Sequence, residues 1–351
     1  MSQDKELTKK KLDDLWGNNQ VQALDIDGKK YVIVSDIHMG DGGGADDFRE
    51  NEKTLEFALE SYRAENYTLI LLGDVEEFWQ FDLEQIAKKY LNTIYAKIKA
   101  FGDDRVIRVF GNHDSEWGCP VDPSTNTPNR HQCAAEAIKM RINSNAAPSV
   151  LLVHGHQGST DADKNSWFSR FVVRGLFKPL EPFAKWAGLY GHPSATKSQV
   201  TVEYERVLYS WAKDRKVILI CGHSHRAIFA SRSYADELQE QIAELQAKIH
   251  ANRAKKDLVK DNLRKIEKIH KTLMEERLKN RDIDPTEPDG GEIQPCYFNS
   301  GCALYSDGIT TIEIDQGQIR LVKWSKDATI NPRFKVLKSE DLIAYIQKVT
   351  A

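Results

Sequence analysis

Cysteine is scarce in this chain and shows no pairing pattern. Five are spread over 351 residues, at 119, 133, 221, 296 and 302, and no CxxC occurs. That spacing excludes a disulfide framework and a cysteine-based zinc knuckle, and it fits reduced thiols in the cytoplasm. Long apolar runs are missing as well. None approaches the length of about 18 residues that a membrane span needs. The opening MSQDKELTKKKLDDLW lacks the apolar stretch of a secretory signal, so a cytoplasmic location is expected. There is no excess of one charge: 49 Lys+Arg face 52 Asp+Glu, a formal net charge of −3. This balance argues against a dedicated nucleic-acid binder, although a local basic patch stays open. No internal repeat is found. What remains is an ordinary globular composition, 40% hydrophobic and 29% charged. The length suits about two average domains, or one large α/β domain with insertions.

One pattern does recur. Short apolar, β-branched runs end abruptly in clusters of Asp, His and Gly. Tyr31–Ser35 runs into Asp36-Ile37-His38, and Leu69–Leu72 into Gly73-Asp74. Val106–Phe110 runs into Gly111-Asn112-His113-Asp114, Val150–Val153 into His154-Gly155-His156, and Val217–Cys221 into Gly222-His223-Ser224-His225. Apolar runs without alternation suit strands buried on both faces. Helical patterns lie between them, over Asn51–Arg63 and Leu83–Ala100. Strand, loop, helix, strand predicts an α/β fold. In such sheets ligands bind beyond the carboxyl ends of strands, where every one of these clusters falls. Later, Cys296–Ser300, Gly308–Ile314 and Gln318–Trp324 read as strands, with Asp315-Gln316-Gly317-Gln318 as a hairpin turn. A helix over Ser339–Lys348 is expected to take Ser339 as its cap.

The clusters hold seven candidate metal ligands: Asp36, His38, Asp74, Asn112, His154, His223 and His225. Mixed oxygen and nitrogen donors suit Mn²⁺, Fe or Zn²⁺ better than a thiolate-selected metal. Paired metals about 3.5–4 Å apart are a known solution for in-line attack at phosphorus. Two such dications repel, and one aspartate between them can be the bridge. Two aspartates also leave a surplus of positive charge, which attracts a phosphate group.

In this order the motifs resemble those of the calcineurin-like metallophosphoesterases: DxH at Asp36, GDxxE at Gly73, GNHD at Gly111, HGH at His154 and GHSH at Gly222. The resemblance implies a four-layer α/β/β/α sandwich of two mixed sheets flanked by helices. It implies one metal on Asp36, His38, Asp74 and His225, and a second on Asp74, Asn112, His154 and His223. Mn²⁺ is the first expectation, with Fe, Zn²⁺ or Mg²⁺ as alternatives. It also implies hydrolysis of a phosphomonoester or phosphodiester by a metal-bridging hydroxide. His113 would be the general acid, oriented by Asp114. His156 is not expected to bind metal. Glu77 and Trp79 could serve the site or merely brace the loop.

Two stretches break the rhythm. Within an apolar insertion at 157–200, Ser166–Leu189 is crowded with Trp, Phe and Leu and could form a cap. Residues 234–283 form a basic helical insertion, with 12 Lys/Arg against 7 Asp/Glu over 238–281. Its apolar stripe runs Leu238, Ile242, Leu245, Ile249, then Leu263, Ile266, Ile269 or His270, and Leu273, as one helix or a two-helix hairpin. Residues 1–28 read as a polar lead-in to a domain over 29–351. The cap pattern is similar to that of UDP-diacylglucosamine hydrolases, so a pyrophosphohydrolase of a nucleotide-linked lipid precursor is one alternative. A nuclease and an inactive binding scaffold are others. Through the basic insertion, nucleic acid, a membrane surface or a second copy could be partners, beside the phosphorylated substrate.

Overall fold

The computed structural model describes residues 2–118, 134–158, 195–252, 255–278, 293–326 and 333–351. The stretch Ser166–Leu189, on which the cap expectation rests, lies outside them.

Two mixed sheets form the body. The six-stranded sheet contains β2 (Lys30–Val34), β3 (Thr68–Leu72), β4 (Val106–Val109), β11 (Gly308–Asp315), β12 (Gln318–Ser325) and β13 (Arg333–Asp341). Its order is β13-β12-β11-β2-β3-β4. The seven-stranded sheet contains β1 (Ala23–Asp25), β5 (Ala137–Arg141), β6 (Val150–Val153), β7 (Ile218–Cys221), β8 (Ala227–Phe229), β9 (Arg232–Ser233) and β10 (Tyr297–Ser300). Its order is β1-β5-β6-β7-β10-β8-β9. Alternate residues of β2 and β3 explain their unbroken apolar runs. Ile33, Ile70 and Leu72 join the core that the two sheets share. Val32, Val34, Leu69 and Leu71 face a second core built with Leu55 and Leu59 of α2 (Glu52–Ala64).

Some expectations are corrected. The N-terminal segment is part of the body rather than a lead-in: α1 (Ser2–Gly17) packs on α5 (Ala195–Arg215). Leu12 and Ile26 are fully buried, and Trp211 Nε1 donates to Asp13 at 2.8 Å. The helix expected over Leu83–Ala100 is instead α3 (Leu83–Tyr90), a π-turn over Leu91–Tyr95 and α4 (Ala96–Lys99). Ser339 does not cap the last helix, because it pairs with Arg320 in the β12–β13 ladder. Asp341 caps α8 (Leu342–Thr350), accepting the Ala344 N–H at 2.9 Å. The β11–β12 turn has Gln316 at φ 51° and Gly317 at φ 78°, the left-handed pair of a type I′ hairpin.

Residues 234–278 form two helices, α6 (Tyr234–Ala251) and α7 (Lys256–Leu278), packed on each other. The stripe of α7 is shifted from the reading by sequence: Asn262, Ile266 and Leu273 are buried, whereas Leu263 is 53% exposed. Spacing decides this, since 262, 266, 269 and 273 follow one face and Leu263 falls beside it.

Candidate metal centre

The carboxyl ends of β2, β3 and β4 from one sheet, and of β6 and β7 from the other, meet at one place. Five of the seven candidate ligands there have left-handed backbones: Asp36 and His38 at φ 52°, Asp74 at 53°, His223 at 69° and His225 at 56°. Each such non-glycine residue costs about 1–3 kcal/mol, and such strain clusters at functional sites. Hydrogen bonds between the loops hold it in place. His38 N–H donates to Asp74 O at 2.9 Å, and Gly222 N–H to His154 O at 2.8 Å. The Asp36 carboxylate accepts His223 N–H at 2.9 Å, and Asp74 Oδ1 accepts His113 N–H at 2.8 Å.

Two groups of donor atoms draw on the candidate ligands alone, Asp36, His38 and His225, and beside them Asp74, His154 and His223; a third combines His38 with Glu77 and His113. His225 Nε2 lies 3.3 Å from Asp36 Oδ1 and 3.0 Å from His38 Nε2. Asp74 Oδ2 is 3.0 Å from His154 Nε2 and 3.8 Å from His38 Nε2, so it touches the first two groups. Asn112 follows Gly111, over which the Asp74 carboxylate packs. Asn112 Oδ1 is buried with no hydrogen-bond partner, as is His154 Nε2. His154 Nδ1 is held 2.8 Å from Leu72 O, which makes it the N–H and points Nε2 at Asp74, where it could give a lone pair to a cation that displaces its proton. Buried donor atoms without hydrogen-bond partners, in loops that also carry two fully buried carboxylates, are what a divalent cation requires. The donor set therefore fits two such ions.

The electrostatics point the same way. Burial disfavours charge on His38, but the hydrogen bond to Glu77 and the nearby Asp74 and Asp36 outweigh it and raise its pKa to about 9. Burial likewise opposes charge on His154, yet Asp74 lifts it to about 10. Asp74 is held well below the usual carboxylate range, burial notwithstanding, by His154, His113 and His38. His223 is pushed down to about 3 by burial and by the charge on His154. The carboxylates thus draw positive charge into the cage.

His113 stands at the mouth, in a cleft of about 220 Å³ that His38, Asp74, His223 and His225 also line. Its imidazole is oriented by Glu77, not by Asp114. Glu77 Oε1 lies 2.8 Å from His113 Nδ1, and Oε2 lies 2.8 Å from His38 Nδ1. Trp79 stacks on the His113 ring, centroids 3.9 Å apart and planes at 21°, and its Nε1 donates to Asn112 O. Asp114 instead accepts the backbone N–H groups of Gly111 at 2.6 Å and Val75 at 2.9 Å, which ties two ligand loops together. Its pKa rises to about 6 through burial and the charges of Asp74 and Glu76. His156 is buried against Phe110 and enters none of these donor groups. Sequence reasoning missed the double role of Glu77, although its place in GDxxE was visible.

Three glycines each give way to a ligand from another loop. A Cβ at Gly73 would strike the His154 ring, one at Gly111 the Asp74 carboxylate, and one at Gly222 the Asp36 carboxylate. We expect Gly111→Ala to displace Asp74, lowering bound metal and activity together while costing about 1–3 kcal/mol of stability. Elemental analysis beside a thermal melt checks this; a fully loaded variant would show that the contact is unimportant.

Fold and site together define a protein of the two-sheet phosphoesterase type. Residues 29–227 match the calcineurin-like phosphoesterase family, and the chain belongs to that family. Among solved structures it is similar to vacuolar protein sorting 29 from Cryptosporidium parvum, at 12% identity and a TM-score of 0.35, covering 89% of this chain and 98% of that one. No curated protein matches the sequence. Among the described residues, no helix is long and apolar enough to cross a membrane.

Proposed function

We propose that this protein is a metal-dependent hydrolase of a phosphomonoester or phosphodiester. The observation that carries the proposal is the pair of donor groups sharing Asp74, with His113 beside them in the same cleft. Asp36, His38, Asp74 and His225 would hold one ion, and Asp74, Asn112, His154 and His223 the other. Mn²⁺ is the first choice for this mixed donor set, with Fe, Zn²⁺ or Mg²⁺ as alternatives. When bound, such ions supply Lewis acidity toward phosphoryl oxygens and acidify water.

The chain's own residues then orient and transfer protons. Glu77 fixes His113 through Nδ1, and Trp79 fixes the plane of the ring. Nε2 is thereby the nitrogen left to face the substrate, where it can protonate the departing oxygen. Asp74 adds a further restraint by holding the His113 backbone N–H. The protein loaded with Mn²⁺ should bind about two ions per chain and turn over a nitrophenyl phosphomonoester or diester; chelation should stop it. An ion content near zero after loading, or a fully loaded protein inert toward both esters and a wider phosphorylated panel, would favour a binding scaffold instead.

A further inference from the structure

A second cavity lies away from the metal centre and shares no lining residue with the catalytic cleft. It is a groove of about 510 Å³ between the α6–α7 hairpin and the edge of the six-stranded sheet at β12 and β13. That volume is within the range of small-molecule sites, about 300–1,000 Å³. Its floor is apolar: Leu238 and Leu245 from α6, Ile269 from α7, and Phe334 and Leu337 from β13. Phe334 packs edge-on against Trp324 and is 48% exposed, so part of its ring is open to the groove.

The charges around this floor are lopsided. Five lysines line the groove against two acidic residues, Glu244 and Asp307. Asp307 is already neutralised by the buried Lys323, with both carboxylate oxygens 2.6 Å from Nζ. Glu244 is 3.8 Å from Lys248, an exposed and therefore weak pair. Lys265 and Lys268 stand on the same wall, Lys265 in an exposed pair with Asp261 one turn earlier. Inside, Gln241 Oε1 accepts from Lys335, while its Nε2 donor is buried with no hydrogen-bond partner.

We infer that this groove binds a single acyl chain ending in a phosphate, with the chain on the Leu238–Leu245–Ile269–Leu337 floor and the phosphate among Lys248, Lys265 and Lys268. A neutral apolar ligand would leave Lys268 without a counter-charge, and would leave Lys248 and Lys265 only their exposed pairs with Glu244 and Asp261. A second copy of the same face would set lysine against lysine. The floor is mainly aliphatic, so it offers little for nucleobases to stack on. This inference is independent of the hydrolase reading.

The test is calorimetric titration of the full chain with dodecyl phosphate below its micelle concentration, beside dodecanol and an acidic amphipathic peptide. One saturable site for dodecyl phosphate is expected, with dodecanol about tenfold weaker or more. The double substitution Lys248→Glu with Lys268→Glu lies on the exposed surface and should weaken dodecyl phosphate by about tenfold while leaving the melting temperature unchanged. Leu245→Glu should abolish binding, with retained folding checked by the same melt. Absence of saturable binding, equal affinity for dodecanol, an unaffected double variant, or binding of the peptide alone would each overturn the inference.

Discussion

Asp74→Asn is expected to cost the protein both cations and about 10³-fold or more in turnover. The substitution is chosen to be gentle on the fold. Asparagine keeps the volume, tolerates the left-handed φ of 53° and still accepts the His113 N–H through its side-chain oxygen. What it removes is the charge. Asp74 Oδ2 contacts His154 at 3.0 Å and stands 3.8 Å from His38, so each donor group loses the same carboxylate. Elemental analysis should show both ions depleted together. Loss of one ion with the other retained would refute the shared position of Asp74.

His113→Gln should behave differently. Turnover should fall by about 10²–10⁴, as when other general acids are removed, with both ions still bound. The loss should depend on the leaving group. A nitrophenolate departs readily without a proton, so the defect should shrink for nitrophenyl esters and be full for alkyl esters. An equal loss on both would assign His113 another role. Glu77→Gln should give a smaller defect, about 10–100-fold, of the size seen when groups supporting a ligand are altered. It should also weaken metal binding, because Glu77 braces His38 as well as His113.

Much of the fold was legible because the central strands are buried on both faces, so Val32–Val34 and Leu69–Leu72 read as uninterrupted apolar runs. Their Asp- and His-rich ends mark the positions where the ligand loops gather. Strands that keep charge were harder to see. In β5, Lys139 survives burial by donating to Asn18 O at 2.9 Å and lying over the Trp16 ring. Strand β13 is an edge strand rich in Lys, which protects an open edge but imitates a loop in sequence. For the site, residue types and spacing announced the donors, whereas the partner of His113 depended on side-chain directions. Asp114, adjacent in sequence, points back to backbone amides, and Glu77, distant in sequence, reaches across.

The donor groups draw on both sheets, and this has a mechanical corollary. Ions seated there would act as rivets between two halves that otherwise adhere through a shared apolar core and a few hydrogen bonds, such as His154 Nδ1 to Leu72 O. Amide protons of β3 and β6 should then exchange more slowly in concert when metal is added, and chelation should loosen strands far from any coordinating atom. The availability of a cation would thereby set the rigidity of the whole framework as well as its chemistry.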